Sequence, residues 1–222
     1  MKKFAVIVAG GTGTRMGSAL PKQFIELKGR PMIVHTLYAF INTFPDICIK
    51  LVLPEEFMEY AKRILDPIIR GKDVDIVTGG GTRFHSVQNG LNSIKGTGIV
   101  FIHDGARPLV TKELLLRCYT EAIEHGSAIP VIPVSESIRQ VDTDKSKPVN
   151  RDTLRIVQTP QTFTTDIIIK AFKVDYSPEF TDEATVAEAS GIIVHLVNGE
   201  RRNIKVTTPE DLVVAAAIMD QL

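Results

Sequence analysis

A glycine-rich segment with two nearby cations is the part of the sequence best suited to chemistry. Residues 9–17 read AGGTGTRMG, which places Arg15 among four glycines, and Lys22 follows seven positions after Arg15. Glycines let the backbone approach a ligand closely and turn its N–H groups toward an anion. Arginine and lysine add positive charge of two different shapes. The segment therefore predicts a phosphate-binding loop, with a tight structural turn as the simpler alternative.

Two common phosphate-binding motifs do not fit this loop. The dinucleotide fingerprint G-x-G-x-x-G, begun at Gly11, requires a third glycine where Met16 stands. The P-loop motif requires Gly-Lys before Ser or Thr, and this region has no such pair. A nicotinamide-dependent oxidoreductase is therefore disfavoured.

The elements that must position this loop alternate along the chain. The predicted strands are 4–9, 49–53, 74–77, 99–102, 128–134 and 192–197, and the predicted helices are 32–41, 55–65, 83–94, 114–123 and 164–172, with further helix starts at 181–183 and 208–211. Strands that alternate with helices indicate a mainly parallel sheet with helices on both faces. We therefore expect one Rossmann-like α/β domain over residues 1–222, with ligands bound beyond the carboxyl ends of its strands.

One segment breaks this alternation. Residues 135–150 are polar, rich in Asp, Lys and Ser, and show little periodicity. A long irregular segment inside a compact domain is typically functional or protruding. We therefore predict an arm over residues 135–158.

Composition limits the partners and the compartment. The 26 basic and 26 acidic residues cancel, so no overall field favours nucleic acid or an anionic membrane. No apolar stretch is long enough for a membrane span or a signal peptide. Cys48 and Cys118 fit two reduced thiols in a cytoplasmic protein better than a disulfide or a zinc motif.

Six sequence blocks in order carry a resemblance to a known family. They are AGGTGTRMG with PKQF, GGGTRFHSV (79–87), HDGARP (103–108), QTPQTF (158–163), TDEA (181–184) and NIKVTTPEDL (203–212). Together they resemble the 2-C-methyl-D-erythritol 4-phosphate cytidylyltransferases, within the wider family of sugar and polyol nucleotidyltransferases. The resemblance covers essentially the whole chain. It implies transfer of CMP from CTP to a polyol phosphate, with release of pyrophosphate, in isoprenoid precursor synthesis.

The resemblance also assigns roles to residues. It implies catalytic cations at Arg15, Lys22 and Lys205. It implies nucleotide contacts at Ala9, Gly10, Gly11, Thr12, Gly13, Gly80, Arg83, Ser86, Asp104 and Gly105, with Asp104 also the candidate ligand of Mg²⁺. It implies polyol phosphate contacts at Arg107, Ser137, Arg151 and Thr181, and a homodimer in which the arm completes the partner's site.

Simpler interpretations stand beside these roles. Asp104 could cap a turn after its strand, Arg107 could be a surface charge, and Lys205 could be an exposed strand residue. His85 and His103 lack partners at metal-ligand spacing and are interpreted as structural. The pair at 182–183 is interpreted as helix-start electrostatics, with a polyol hydroxyl contact as the family alternative.

The sequence departs from the family pattern at four positions. Ser137 replaces a usual Thr, Gly105 a usual Ala, Gly81 a frequent acid, and Arg202 a common acid. Gly81 and Arg202 affect the expected base and polyol contacts more than the reaction itself.

The proposed chemistry needs no catalytic base. A phosphate monoester has a second pKa of about 6, so the attacking oxygen is already ionised near neutral pH. The remaining tasks are to hold two anions together and to neutralise transition-state charge, which suits cations and Mg²⁺. The alternatives are a ribitol 5-phosphate cytidylyltransferase and a non-catalytic nucleotide-binding regulator with the same fold.

Overall fold

A computed structural model describes residues 1–11 and 21–221. The strands are β1 (Lys2–Val8), β2 (Glu26–Leu27), β3 (Arg30–Pro31), β4 (Cys48–Leu53), β5 (Val74–Thr78), β6 (Gly98–Asp104), β7 (Ser127–Pro133), β8 (Ile138–Asp142), β9 (Lys145–Val149), β10 (Arg155–Val157), β11 (Gln161–Thr164) and β12 (Leu196–Asn198). The α-helices are α1 (Met32–Thr43), α2 (Met58–Ile69), α3 (Arg83–Asn92), α4 (Lys112–His125), α5 (Thr165–Ala171), α6 (Glu183–Ala189) and α7 (Pro209–Met219). Short 3-10 helices span Lys22–Phe24, Glu55–Phe57 and Arg151–Thr153.

A central sheet joins eight of these strands in the order β10-β7-β11-β6-β1-β4-β5, with β12 paired to β7. The strands β6, β1, β4 and β5 are parallel, whereas β11 runs antiparallel to both β6 and β7. The predicted α/β class with a mainly parallel sheet is confirmed. The end of the QTPQTF block forms the antiparallel strand β11.

Burial on both faces explains why the first strand is a continuous apolar run. Ala5 and Ile7 pack toward the face covered by α1, α2 and α4, while Phe4 and Val6 pack toward the face covered by α3, α5 and α6. Successive side chains of a strand point to opposite faces, so a strand covered on both sides has no polar positions. This strand therefore contributes to the core on both faces of the sheet.

The last helix, α7, packs against Leu27 and Leu109, and its start was predicted from the sequence. The Thr208 hydroxyl accepts from the backbone N–H of Asp211, whose carboxylate accepts from the N–H of Thr208, and Pro209 occupies the first turn. This is a capping box, which satisfies backbone donors that a helix start leaves unpaired. Asp182 likewise caps α6.

Two predictions about the regular elements were wrong. The helix predicted over 55–65 begins at Met58, because residues 55–57 form a 3-10 turn, and it extends to Ile69. The strand predicted over 192–197 is limited to Leu196–Asn198, the residues that pair with β7. Ile193 is 93% exposed, so its apolar character does not reflect burial in the sheet.

The predicted arm is more regular than the sequence indicated. Within it, β8 and β9 form an antiparallel hairpin that pairs with no other described strand. Most of its side chains are exposed on both faces, so the apolar alternation typical of a half-buried strand is absent.

Within the described residues, no helix is both long and apolar enough to cross a bilayer.

Candidate active site

The ends of the parallel strands bring the candidate residues together. β1 lies between β6 and β4, so the sheet extends from it in both directions, and Val8 is level with Asp104 in the register. The Gly105 N–H donates to the Val8 carbonyl at 2.9 Å, and the Gly79 N–H donates to the Leu53 carbonyl at 2.8 Å. Loops that leave adjacent strands in this way diverge and leave a crevice between them.

A cleft of about 260 Å³ occupies this crevice. The described residues that line it come from the ends of β1 and β6, the loops after β1, β5 and β6, the 3-10 helix at 22–24, the start of α3 and the chain near the C-terminus. They are Val8, Ala9, Gly10, Gly11, Lys22, Gln23, Gly80, Gly81, Thr82, Arg83, Ser86, Asp104, Ala106 and Lys205.

A buried carboxylate with three cationic neighbours lies at the base of the cleft. Asp104 Oδ1 accepts from Arg83 Nη2 at 3.2 Å, and Oδ2 lies 2.9 Å from Lys205 Nζ and 3.7 Å from Arg107 Nε. Burial alone would raise the pKa of this carboxyl, but the cations Arg83, Lys205 and Arg107 lower it well below its usual range. The residue is therefore an anion at neutral pH, in a site whose surroundings are positive.

Arg83 is fixed by a second acid from a distant part of the chain. Its guanidinium binds both carboxylate oxygens of Glu183, with Nη2 to Oε2 at 3.1 Å. The Glu183 side chain is only 1% exposed. The pKa of Arg83 is raised despite its burial because Glu183 and Asp104 both face it. A bidentate contact of this kind fixes the plane of the guanidinium.

A neutral histidine is linked to Asp104 by hydrogen bonds through Thr159. His103 Nε2 lies 3.2 Å from the Arg107 carbonyl, which can only accept, so Nε2 carries the proton. Nδ1 then accepts from the Thr159 hydroxyl at 3.0 Å, and that hydroxyl accepts from the Asp104 N–H. Burial lowers the pKa of His103 to about 4, so the ring is neutral. The structural interpretation of His103 agrees with this position.

Lys22, the second cation predicted from the sequence, contacts the C-terminal segment beside Lys205. Lys22 Nζ donates to the Val206 carbonyl at 3.1 Å, next to Lys205. The neighbouring Gln23 is buried, and its amide donates to the Ala9 carbonyl at 2.7 Å. Two lysines from distant parts of the sequence therefore line one side of the cleft.

The opposite side is a glycine turn packed on the start of α3. The Ser86 hydroxyl donates to the Thr82 carbonyl at 3.0 Å and accepts from the Gly80 N–H at 3.1 Å. A Cβ atom on Gly80 would lie 2.4 Å from the Cβ of His85, so this position requires glycine. A Cβ on Gly81 would meet nothing within 4 Å. The turn is therefore tight at one glycine and open at the next.

The predicted site residues fall into four groups. Most of the expected nucleotide contacts, with Lys22 and Lys205, line the cleft as described above. Gly105 and Arg107 lie behind it, where the Arg107 side chain donates to the Asn203 carbonyl at 2.8 Å. Thr12, Gly13 and Arg15 lie outside the described residues.

The other three residues predicted to contact the polyol phosphate lie away from the cleft. Ser137 and Arg151 are exposed residues of the arm, and Arg151 donates to the carbonyl of Ser135 within the same arm. Thr181 is exposed just before the helix that carries Glu183. None of the three is among the described residues that line the cleft.

Sequence reasoning missed two supporting residues. Glu183 was interpreted as helix-start electrostatics, but it is the buried partner of Arg83, 100 positions away in the chain. Asn203 is fully buried, and its amide donates to the Thr159 carbonyl at 2.8 Å, which ties the Lys205 segment to the Asp104 loop. Both belong to blocks that had been singled out, TDEA and NIKVTTPEDL, but their partners could not be read from spacing.

This fold and this site define a class of protein. The crevice at the strand ends of this α/β domain contains a glycine-rich turn, two lysines and one buried carboxylate. Such a site is suited to hold a nucleotide polyphosphate and to transfer a phosphorus-centred group.

Comparison with known proteins narrows the class. The family model of 2-C-methyl-D-erythritol 4-phosphate cytidylyltransferase matches residues 4–221. The protein of that name from Bacteroides fragilis is 46% identical over 221 residues, which cover 99% of this chain and 100% of the relative. The chain therefore belongs to the 2-C-methyl-D-erythritol 4-phosphate cytidylyltransferase family.

Solved structures agree with this assignment. A 4-diphosphocytidyl-2C-methyl-D-erythritol synthase from Anaerococcus prevotii aligns with a TM-score of 0.85 at 28% identity, covering 99% of this chain and 96% of that one. A 2-C-methyl-D-erythritol 4-phosphate cytidylyltransferase from Thermus thermophilus aligns with a TM-score of 0.80 at 30% identity, covering 99% of this chain and 100% of that one.

Proposed function

We propose that this protein transfers CMP from CTP to 2-C-methyl-D-erythritol 4-phosphate, giving 4-diphosphocytidyl-2-C-methyl-D-erythritol and pyrophosphate. The observation that carries the proposal is the cluster at the cleft base, where Asp104 lies 2.9 Å from Lys205 in a cleft that Lys22, Gly10 and Gly11 also line. A site with several cations and one carboxylate suits two phosphorylated substrates better than a neutral ligand.

The reaction joins the acceptor's phosphate oxygen to the α-phosphorus of CTP and breaks the bond to pyrophosphate. The acceptor oxygen is already ionised near neutral pH, so no side chain has to remove a proton. Lys22 and Lys205 lie where they can neutralise charge that develops on the reacting phosphoryl group, and Arg15 is proposed to join them. The neutral state of His103 agrees with a role in support rather than in proton transfer.

A magnesium ion is part of the proposal, and the residues present fit it. Mg²⁺ is usually held by one or two carboxylates together with substrate phosphates and water. Asp104 is the one carboxylate among the described residues that line the cleft. Its Oδ2 contacts Lys205, which is 41% exposed and can turn toward a bound phosphate. The ion would neutralise charge on the triphosphate.

The turn formed by Gly79, Gly80 and Gly81 is proposed to read the cytosine, together with Ser86. The Ser86 hydroxyl already binds the Gly80 backbone, which fixes the height of the turn over the cleft. A base edge that meets such a fixed turn must match its donors and acceptors, and a missing hydrogen bond there is costly. We expect CTP to be preferred over ATP, GTP and UTP.

The polyol phosphate site is proposed to be completed by a second subunit in a homodimer. Val141, Ile156 and Val157 of the arm are 71%, 48% and 40% exposed. Ser137 and Arg151 lie on this arm, away from the cleft of their own chain. An isologous dimer would cover the apolar residues and bring both polar residues to the partner's cleft.

The alternatives are weaker. A ribitol 5-phosphate cytidylyltransferase and a non-catalytic regulator share the fold, but the family match and the lysines that face the cleft favour the active enzyme. Two unpaired cysteines, Cys48 and Cys118, are compatible with the proposed cytoplasmic location. The balanced charge of the chain supports substrates rather than nucleic acid as partners.

Pyrophosphate release tests the proposal directly. The purified protein is supplied with Mg²⁺, each of the four nucleoside triphosphates, and either 2-C-methyl-D-erythritol 4-phosphate or ribitol 5-phosphate. We expect rapid release only with CTP and the methylerythritol phosphate. Equal release with all four triphosphates, or faster release with ribitol 5-phosphate, would contradict the assignment.

A further inference from the structure

Two histidines and a glutamate form a compact cluster far from the cleft. Glu121 and His125 are four residues apart on the last turns of α4, so they share a face of that helix. His195 directly precedes β12 and completes the group. The cluster lies near Ser127, where β7 begins, whereas the cleft lies where the parallel strands end.

The ligand atoms converge on one point. Glu121 Oε2 lies 3.2 Å from His195 Nε2 and 3.5 Å from His125 Nε2, and all three ligand atoms lie within 4.8 Å of one another. A zinc ion with bonds of 2.0–2.1 Å to its ligands separates tetrahedral ligands by about 3.3 Å. The two measured separations bracket this value.

The backbone holds one histidine in place. The His195 N–H donates to the Ser127 hydroxyl at 3.0 Å, and its carbonyl accepts from the Ile129 N–H at 2.8 Å. The two imidazole rings are stacked, with centroids 3.9 Å apart. Binding one ion therefore requires side-chain rotations that open this stack and turn both Nε2 lone pairs toward the ion.

The electrostatics favour a cation at this position. The cluster lies at the C-terminal end of α4, where the helix dipole is negative. A second acid, Glu124, places Oε1 3.9 Å from His125 Nε2. The side chains of Glu121, His125 and His195 are each 33–38% exposed, so an ion can enter from solvent and keep water as a fourth ligand.

We propose that Glu121, His125 and His195 form a binding site for a divalent transition metal of the zinc type. Two imidazoles and a carboxylate suit Zn²⁺ and disfavour Mg²⁺, which takes oxygen ligands. The ion would link α4 to the start of β12, more than 70 positions away in the chain, and so stabilise the domain without touching the cleft.

Metal titration in the presence of excess Mg²⁺ tests the site. The full-length protein is stripped with a chelator and titrated with Zn²⁺ against a chromophoric competitor, and Co²⁺ is used as a spectroscopic probe. We expect one zinc per chain, a tetrahedral Co²⁺ absorption band, and a rise of several degrees in the Tm on zinc binding. The double variant His125→Gln/His195→Gln should lose affinity at least about a hundredfold and lose the Co²⁺ band.

The matched control changes charge without removing a ligand of the site. Glu124→Gln alters the neighbouring acid on the same helix and should bind zinc nearly as the wild type does, whereas Glu121→Gln should not. Both variants and the double variant should keep wild-type pyrophosphate release, because the cluster is remote from the cleft. Absence of zinc binding, or an unchanged stoichiometry and Co²⁺ band in the double variant, would overturn the proposal and leave a hydrogen-bonded His-Glu-His group.

Discussion

The cleft and the arm differ in how completely their residues are fixed within one chain. In the cleft, Arg83 is bound on both sides by buried carboxylates, and Asp104 contacts three cations. In the arm, Arg151 donates to the nearby carbonyl of Ser135, and apolar side chains face solvent. A network anchored by buried carboxylates is largely ordered before the ligand arrives, which limits the ordering cost of binding. The arm has the features of a segment that needs a second surface.

The largest effect should come from a cation in the cleft. Lys22→Ala should lower kcat by about a hundredfold or more, because the lysine stabilises charge that develops in the transition state. Lys28→Ala is the matched control: this lysine is six residues further on and pairs with Asp220 at the surface. Steady-state kinetics of both variants measure the difference. Full activity of Lys22→Ala would remove the lysine from the mechanism.

The glycine turn offers a pair of otherwise identical changes. Gly80→Ala should destabilise the fold by roughly 1–3 kcal/mol and weaken CTP binding, because its Cβ would overlap with that of His85. Gly81→Ala has open space around its Cβ and should leave the unfolding free energy nearly unchanged. Denaturant unfolding and CTP titration test both. Equal stability of the two variants would mean that the turn is not as tight as the geometry indicates.

As the pH falls, the titration of His103 should lower the unfolding free energy before the titration of Asp104 does. The folded pKa of His103 is about 4, below its unfolded value, so the unfolded state takes up a proton first as the pH falls from 6.5. Through this group, the unfolding free energy should fall by roughly 1–2 kcal/mol as the pH falls from 6.5 to 5. The contribution of Asp104, whose pKa is lowered, remains through this window and is lost only below its unfolded pKa of 3.8. His103→Gln should show a shallower dependence of unfolding free energy on pH, and an unchanged slope would contradict this account.

The smallest effect should come from the arm. Arg151→Ala should raise the KM for the polyol phosphate by about tenfold, the loss of one charged contact, while the Kd for CTP and the unfolding free energy stay unchanged. Arg155→Ala, on the adjoining exposed strand, is the control. A change in CTP binding in Arg151→Ala would mean that the arm and the cleft are not separate parts of the site.

Local sequence signals predicted much of the fold and part of the site. The helix start at Thr208 and the buried strand β1 follow from capping chemistry and hydrophobic pattern, and both were predicted. The pairing of Arg83 with Glu183 could not be predicted from the sequence, because it depends on how two distant helices pack. The hairpin of β8 and β9 was missed because residues exposed on both faces carry no alternation.

Mixing two impaired variants tests most directly whether one site combines the cleft of one chain with the arm of another. Lys22→Ala and Arg151→Ala homodimers are purified, mixed under conditions in which subunit exchange is shown independently, and assayed for pyrophosphate release at limiting polyol phosphate. Random exchange makes half of the dimers mixed, each with one site carrying both changes and one carrying neither. The account predicts that wild-type sites reappear, with activity rising to roughly a quarter of wild type above the residual activity of the parent variants. Activity equal to the average of the two parents, despite complete exchange, would contradict it and place the whole site within one chain.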